Sequence, residues 1–379
     1  MLPERNLTTV VCCALLLFFL GGLVSVRLHG AANSAAPEDR NPAINNPDKF
    51  AWELFAAISH PAGNGSNDAL WETWALRANV FADPNNPPVW PGTTHQPKIL
   101  TRSTKLETVR EQMLMRRSNQ LQTQRQNGAD SNKLKPFFVP QSPETEEVRM
   151  NKANFDFIVQ NNLWYVEGQI AAFAAGRSIS FPLDAKEVKA EWKVITAPDK
   201  PRFHWQEGSD GKLYGLIALH LMTKDLPNWF WATWEHVDNP QRCNAIGCAD
   251  SFGLDSATGG VSQALLDLFT HEGLGAEWQN YRLTGTQTDF VDSTGRPTLL
   301  GNSAIEQFLV PTSSCITCHA KSSVDGTGNR LDFTSAEGLS DNGVPNPAWF
   351  FDVSGSAPTR KFIQLDFEWS LEAAKRRTH

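Results

Sequence analysis

The sequence Cys315-Ile-Thr-Cys-His319 constrains this 379-residue chain more than any other feature. Two thiols separated by two residues and followed at once by an imidazole form a C-x-x-C-H motif. Thiols at this spacing can add across the two vinyl groups of one haem, and the histidine can then bind the iron as its proximal ligand. The motif therefore predicts one covalently attached haem c, held through Cys315 and Cys318, with His319 as an iron ligand.

Three other uses of the cysteines compete with haem attachment. A thioredoxin-like redox pair lies between a strand and a helix of a βαβ unit, whereas this motif follows a Pro-Thr-Ser-Ser loop. A structural zinc ion could bind Cys243, Cys248, Cys315 and Cys318, but that interpretation leaves His319 without a role. A plain disulfide between Cys315 and Cys318 is the third alternative. For Cys243 and Cys248 we predict a disulfide that closes a short loop.

The apolar segment 7–26 carries no charged residue. Its length is about that of one membrane-spanning helix, roughly 20 residues, and a small-x-small site follows at 32–34. Residues 1–26 are therefore predicted to be either a signal peptide or an N-terminal membrane anchor. Both interpretations export the rest of the chain, to the periplasm or to the periplasmic face of the inner membrane.

The overall charge narrows the class of partner. Lys and Arg total 34 against 41 Asp and Glu, which gives a net charge of −7 without a basic block. This balance argues against nucleic-acid binding and suits a basic protein partner. Thirteen Trp against three Tyr is an unusual ratio, and it predicts either a densely filled core or a pocket for a large flat group.

The chain is predicted to form one α+β domain after a polar linker. Residues 27–48 are the predicted linker and 49–379 the domain, with the haem segment at 311–325. Helices are predicted at 50–58, 105–126, 145–176 (capped by Thr145) and 261–283. Strands are predicted at 186–194, 214–222, 229–237 and 363–369, of which the second and third form a hairpin and the last joins the same sheet. We therefore expect a helical N-terminal half packed on an antiparallel β-sheet, with a loop-borne C-x-x-C-H segment near the C-terminus.

A second iron ligand has to come from upstream of the motif or be absent. Residues 320–379 contain no Met and a single His, His379. The upstream candidates are His60, His95, His204, His220, Met222, His236 and His271. His220 and His236 are preferred as distal ligands, because they lie on the two arms of the Trp-rich hairpin, although a hydrogen-bonded strand histidine is the simpler interpretation of each. Pocket walls are expected from the preceding region and from Trp349, Phe350, Phe351 and Trp369.

Several segments resemble a family of exported bacterial single-haem cytochrome c-like proteins of mostly unassigned function. The resemblance covers nearly all of the chain after the linker. It is carried by Trp52-Glu-Leu-Phe-Ala-Ala, Leu70-Trp-Glu-Thr-Trp74, Asn154-Phe-Asp-Phe-Ile-Val-Gln-Asn-Asn-Leu163, Glu187-Val-Lys-Ala-Glu-Trp192, Asn228-Trp-Phe-Trp-Ala-Thr-Trp-Glu-His-Val-Asp-Asn239, Gly301-Asn-Ser-Ala-Ile-Glu306 and Ser313-Ser-Cys-Ile-Thr-Cys-His319. It implies covalent haem at Cys315 and Cys318 with His319 as axial ligand, and it implies no substrate.

Three functions remain open from the sequence. The first is one-electron transfer by a periplasmic cytochrome, free or membrane-tethered, that docks with a redox partner protein. The second is a haem-dependent oxidoreductase, peroxidase- or oxygenase-like, in which a distal histidine moves protons. The third is a redox or ligand sensor. A six-coordinate iron favours the carrier, and an open sixth position favours the enzyme.

Overall fold

The computed structural model describes residues 41–92, 95, 145–306, 312–331 and 342–378. All of them lie in one compact unit of the chain. The predicted apolar segment 7–26 and the predicted helix 105–126 fall outside these ranges. Within the described ranges, no helix has both the length and the apolarity to cross a membrane.

A large antiparallel sheet forms the centre of this unit. Its strands are β1 Ala75–Leu76, β2 Thr145–Met150, β3 Lys186–Ile195, β4 Trp205–Glu207, β5 Leu213–Thr223, β6 Phe230–His236 and β7 Tyr281–Gln287. The strand order is β1-β2-β3-β5-β6-β7. Strand β4 lies outside this order and pairs with the start of β5. It uses the edge of β5 opposite β3, where β6 pairs farther along the strand. The predicted fold class, α+β with an antiparallel sheet, is confirmed at this level.

Short helices and four further short strands surround the sheet. The α-helices are α1 Pro42–Asn45, α2 Pro47–Ser59, α3 Arg77–Val80, α4 Lys152–Gln160, α5 Val166–Ala174, α6 Gln263–His271 and α7 Cys315–His319. The 3₁₀ helices are Leu70–Thr73, Ala197–Arg202, Ala276–Asn280, Pro347–Trp349 and Trp369–Ala373. The remaining strands are β8 Ser323–Val324, β9 Phe351–Asp352, β10 Thr359–Arg360 and β11 Ile363–Gln364. Since α1 and the start of α2 are helical, the end of the segment predicted as a linker belongs to the folded unit.

One face of the sheet packs against helices α2 and α6, and we call it the helix face. Strands β3, β5 and β6 contribute Trp192, Leu219 and Trp234 to it, all fully buried. Phe55 of α2 lies 5.0 Å from Trp234, ring centre to ring centre, and Phe269 of α6 belongs to the same core. The predicted helix at 50–58 is confirmed by α2, which buries its apolar stripe here.

The predicted hairpin is confirmed by β5 and β6. Their register pairs His220 with Thr233 and Met222 with Trp231. These side chains point away from the helix face because successive residues of a strand alternate between the two sides of a sheet. We call this second side the motif face, since the C-x-x-C-H helix packs on it.

The charged residues of β3 do not face solvent as the alternating pattern predicted. Glu187 and Glu191 are both buried, whereas Val194, placed on the apolar side by the pattern, is 54% exposed. A second layer of chain covers the motif face, so both sides of β3 are interior. The prediction of a half-buried strand was right about the strand and wrong about its solvent side.

The helix predicted at 145–176 is two helices preceded by a strand. Residues 145–150 form β2, which pairs antiparallel with β3. Thr145 is therefore not a helix cap, and Asn151 takes that role, because its side chain accepts a hydrogen bond from the backbone N–H of Asn154 at 3.1 Å. Pairing with a distant strand therefore overrides the local helical pattern at these residues.

Two further elements differ from the predictions. The helix predicted at 261–283 ends at His271, where Gly273 takes a left-handed φ of +70°, and Tyr281 begins β7. The strand predicted at 363–369 is shorter and does not join the large sheet. Ile363–Gln364 pairs with Ser323–Val324 instead.

Candidate functional site

The C-x-x-C-H motif forms one helical turn, α7, and is not carried on a loop as predicted. Ser314 caps the turn by accepting a hydrogen bond from the Thr317 N–H at 3.5 Å. The Thr317 hydroxyl donates in turn to the carbonyl oxygen of Gly343 at 2.7 Å. A capped turn fixes the directions of Cys315, Cys318 and His319 relative to one another.

Gln287, at the end of β7, ties this turn to the sheet. Its side-chain amide donates to the Ser314 hydroxyl at 2.8 Å and accepts from the Ile316 N–H at 3.0 Å. Gln287 is buried, so these bonds compete with little water. Nothing in the sequence singled out this glutamine, because its role depends on a contact between distant segments.

The two motif cysteines are reduced thiols. Cys315 is only 4% exposed, and its thiol donates a weak hydrogen bond to the Leu300 carbonyl at 3.4 Å. Burial raises the pKa of Cys315 well above its ordinary value, so the sulfur is protonated at neutral pH. Cys318 is half-buried. The interpretation of this pair as a plain disulfide is therefore wrong for this structure.

Cys243 and Cys248 form the predicted disulfide, with Cα atoms 4.9 Å apart. Their sulfurs cannot act as thiolate ligands while this bond is intact. The four-cysteine zinc site considered from the sequence is therefore excluded. All strand pairings of the large sheet are antiparallel, which is not the βαβ setting of a thioredoxin-like pair either.

His319 is oriented by a backbone carbonyl. Its Nδ1 donates a hydrogen bond to the carbonyl oxygen of Phe367 at 2.9 Å, because a carbonyl can only accept. This bond fixes the tautomer and leaves Nε2 with a lone pair, as in most metal-binding histidines. Burial lowers the pKa of His319 to about 4, against the opposing effect of the Phe367 bond. The ring is therefore neutral at physiological pH, the form that binds a metal.

The carbonyl that holds His319 sits on an unusual turn. Asp366 and Phe367 are consecutive non-glycine residues in the left-handed region, with φ of +50° and +67°. The Asp366 carboxylate is held by Lys224 Nζ at 2.6 Å and by the Phe181 N–H at 2.7 Å. These buried contacts stabilise a conformation that side chains disfavour, and so aim the Phe367 carbonyl at His319.

Aromatic rings surround the His319 imidazole. The ring centre of Trp231 lies 4.6 Å away and that of Trp369 lies 5.3 Å away. The Trp231 indole is itself oriented by donation to the Asn228 carbonyl at 2.9 Å. Trp369 is thus a wall of the site, as predicted. Trp349 and Phe350 belong instead to a separate small apolar cluster.

The tryptophans divide between the two sides of the sheet. The helix-face core contains Trp52, Trp71, Trp74, Trp192, Trp234 and Trp278, and the core around the motif contains Trp164, Trp229 and Trp231. The prediction of a densely filled core is confirmed, and the prediction of a pocket for a large flat group stays a prediction. More of these rings fill the core than approach the motif.

His220 is the one distal candidate with a ring contact to the motif histidine. The ring centres of His220 and His319 are 6.3 Å apart, and the rings are inclined by 31°. His220 is 4% exposed, and within the described chain its Nδ1 has no hydrogen-bond partner. Burial, with smaller effects of His319 and Lys189, lowers the pKa of His220 well below its ordinary value.

His236 is not part of the site. It lies on the helix face, stacked on Phe203 at 3.8 Å between ring centres. Its Nε2 bonds the Arg202 carbonyl at 2.9 Å, and its Nδ1 accepts from the Asp238 N–H at 3.1 Å. Both nitrogens are engaged, so this candidate is wrong for a physical reason: alternation along β6 sends it to the opposite side of the sheet from Trp231.

The other upstream candidates have partners elsewhere. His60 bonds the Glu272 carbonyl at 2.8 Å, His95 pairs with Asp68 at 2.8 Å, and His204 bonds Glu72 at 2.6 Å. His271, at the end of α6, is exposed and pairs with Glu272. Met222 is buried on the motif face in the same core as Trp231. His379 lies outside the described residues.

A partly buried ion network lies beside His220 on the motif face. Lys189, its register partner on β3, pairs with Glu146 at 3.0 Å, and Arg77 reaches the same carboxylate at 2.7 Å. Burial would raise the pKa of Glu146, but the two cations lower it to about 2. Lys189, which the pattern predicted to face solvent, is thus only 21% exposed and is paired with a carboxylate.

Comparison of the chain with protein-family models, with curated proteins and with solved structures found no match. Across the described ranges, no group of three or more His, Cys, Asp and Glu side chains is arranged as a metal site. The resemblance to a single-haem family therefore stays a prediction. The function has to be argued from the geometry around His319.

Proposed function

We propose that this chain is an exported single-haem c-type cytochrome that transfers one electron at a time. The observation that carries the proposal is the turn α7, on which two reduced thiols and a histidine with only its Nε2 available stand together. Thioether bonds from Cys315 and Cys318 and an axial bond from His319 are the attachment that this arrangement suits.

The residues around the turn fit such a group. His319 is neutral and fixed in the tautomer that presents Nε2. The surrounding rings of Trp231 and Trp369 are apolar surfaces suited to a flat aromatic ligand. The unpartnered Nδ1 of His220 is a buried polar atom that lacks a ligand within the described chain.

The exposure of the site and the net charge of the chain indicate how a haem bound here would exchange electrons with a partner. A haem bound here would supply an iron that is reduced and oxidised by one electron. The protein wraps most of the site, while Cys318 and His319 remain half-buried, so the group would approach the surface on that side. The net charge of −7 favours a redox partner with a basic docking surface.

The attachment can be tested directly. The full chain is produced in a host that matures c-type cytochromes, denatured, and run on a gel stained for haem peroxidase activity. Only covalently held haem survives denaturation, so the wild type should stain. Cys315→Ala with Cys318→Ala should abolish the stain. A redox titration followed by absorbance should fit a single one-electron transition.

The disulfide provides the matched control. Cys243→Ala with Cys248→Ala removes two cysteines that the proposal does not use, so this variant should stain like the wild type. A chain that carries no haem in a maturation-competent host, or one whose stain survives loss of both motif cysteines, would contradict the proposal. Zinc in place of iron in the purified wild type would contradict it too.

A further inference from the structure

We infer that His220 is the second axial ligand, so that one iron is held between the imidazoles of His220 and His319. This inference rests on the proposed function, and it deepens it, because a fully ligated iron belongs to an electron carrier rather than to an enzyme that binds peroxide or oxygen. Three independent observations support it: the ring spacing, the available nitrogens, and the positions of the competing ligands.

The ring spacing matches two ligands on opposite sides of one metal ion. With metal–nitrogen bonds of about 2.0–2.1 Å and about 1.1 Å from each nitrogen to its ring centre, the two ring centres lie roughly 6 Å apart. The observed separation between His220 and His319 is 6.3 Å. The inclination of 31° keeps the two planes closer to parallel than to perpendicular.

Face-to-face stacked rings stand closer together in this protein, although tilted rings such as those of Phe55 and Phe269 pack directly at 6.2 Å and 31°. The near-parallel pair His236 and Phe203 has ring centres 3.8 Å apart, and His204 and Trp278 have theirs 4.5 Å apart. The two motif-face histidines stand about 2 Å farther apart than these stacked pairs, which places them beyond stacking contact. Tilted packing alone also reaches this spacing, so the case for a metal ion between the rings rests on the spacing together with the unpartnered Nδ1 of His220.

Each imidazole ring has a nitrogen available to bind a metal ion. Nδ1 of His319 is used by the Phe367 carbonyl, so Nε2 remains. Nδ1 of His220 is buried without a hydrogen-bond partner in the described chain. Buried polar atoms are rarely left without a partner, because an unsatisfied atom loses its bonds to water without replacing them. A bond from Nδ1 of His220 to iron gives this atom the partner that the described polypeptide does not.

The strand holds His220 in place from both sides. Its backbone lies in β5 between Lys189 of β3 and Thr233 of β6. A residue in the middle of a sheet cannot swing away from the site without breaking strand pairing. His236 is on the other side of the sheet with both ring nitrogens engaged, so it does not compete.

The test is the spin state of the haem-loaded full chain. The wild type should show a low-spin, six-coordinate ferric spectrum by absorbance and electron paramagnetic resonance, and its ferrous form should not bind carbon monoxide readily. His220→Ala should convert the ferric form to high spin and allow carbon monoxide to bind. Added imidazole should return the variant to low spin, which a purely structural role would not produce.

Two further variants sharpen the result. His236→Ala makes the same change on the opposite face and should leave the low-spin spectrum unaltered. His220→Met keeps a ligand at the position and should raise the reduction potential, because a thioether favours the ferrous iron more than an imidazole does. This second variant also covers the case in which His220→Ala fails to fold.

Failure of the inference is distinguishable from failure of the proposed function. A chain without covalent haem refutes the proposed function. A chain with covalent haem that is high spin in the wild type, or that stays low spin in His220→Ala without added imidazole, refutes the assignment of His220 alone. An unchanged reduction potential in His220→Met would also overturn it.

Discussion

Replacing Glu187 with Gln should remove part of the pH dependence of stability and stabilise the protein at neutral pH. Glu187 of β3 and Glu368 are buried carboxyl groups in hydrogen-bond contact, 6% and 0% exposed. Burial, together with the Glu368 charge, raises the pKa of Glu187 well above 4.5. The Ser370 hydroxyl, which donates to Glu187, and the more distant Arg77 oppose this shift only in part.

The direction of the pH effect on stability follows from the number of protons that the folded and unfolded chains bind. Above about pH 4.5 the unfolded chain releases the Glu187 proton while the folded chain keeps it, so the folded state binds more protons. The stabilisation from this site is complete at low pH and falls as the pH rises towards the raised pKa. One proton of difference corresponds to about 1.4 kcal/mol per pH unit, and this slope applies between the pKa of the unfolded chain and the raised pKa of the folded one.

The Gln side chain lacks the titrating group but can still donate a hydrogen bond to Glu368. Urea unfolding at pH 5, 6, 7 and 8 gives the free energy of unfolding of each variant. Glu187→Gln should show a shallower decline with pH and a higher free energy of unfolding than the wild type at pH 7. As a control, Glu53→Gln changes an exposed carboxylate whose pair with Lys49, at 3.4 Å, contributes little. It should run parallel to the wild type.

A Glu187→Gln curve with the wild-type slope would refute the reasoning, since it would mean that Glu187 releases its proton in the folded state as readily as in the unfolded one. A loss of stability at pH 7 with an altered slope would show instead that the charge itself is needed there.

Three other changes test the packing and the cross-links. Cys243→Ser with Cys248→Ser should lower the free energy of unfolding by about 2 kcal/mol under oxidising conditions, from the loop-closure entropy of a separation of 5 residues; the same denaturant midpoint with and without reductant in the wild type would contradict this. Lys224→Met leaves the Asp366 carboxylate buried without its cation, and should cost about 3–5 kcal/mol in calorimetry, whereas Lys224→Arg should recover much of the loss. Trp234→Ala should cost about 3–5 kcal/mol, because its indole is fully buried on the helix face; a smaller shift in thermal midpoint than for an exposed aliphatic residue such as Val89 replaced by Ala would argue against that packing.

The elements predicted correctly carry short-range signals. Helix α2 has an apolar stripe that ends before Pro61, and the hairpin of β5 and β6 has two β-rich runs joined by a short polar connection. The disulfide closes a loop of neighbouring residues. In each case the information lies within a few residues of the feature, so the sequence alone was sufficient.

The elements predicted wrongly depend on contacts between distant segments. Residues 145–150 pair with β3, and that pairing overrides a local pattern that favoured a helix. The strand predicted at 363–369 ends after Gln364, because two left-handed residues, Asp366 and Phe367, turn the chain and residues on both sides of the predicted strand are buried. Glu187 and Glu191 face the protein interior, and the residue pattern of β3 alone does not predict this burial.

The residues of the site also divide into those that short-range signals identify and those that depend on contacts between distant segments. The motif and His220 were identifiable from residue types and spacing. Gln287 and the Phe367 carbonyl were not, since an amide that clamps the turn and a backbone oxygen that orients His319 have no sequence signature. His236 was indistinguishable from His220 until the side of the sheet was known.

The burial of Cys315 sets an order of events for any chemistry at its sulfur. In the folded chain the thiol is protonated and only 4% of the residue reaches solvent, so neither an enzyme nor a small reagent has ready access to it. Modification must come while the polypeptide is still open, or wait for local unfolding. The rate at which a thiol reagent labels Cys315 in the folded apoprotein therefore reports how often this part of the molecule opens.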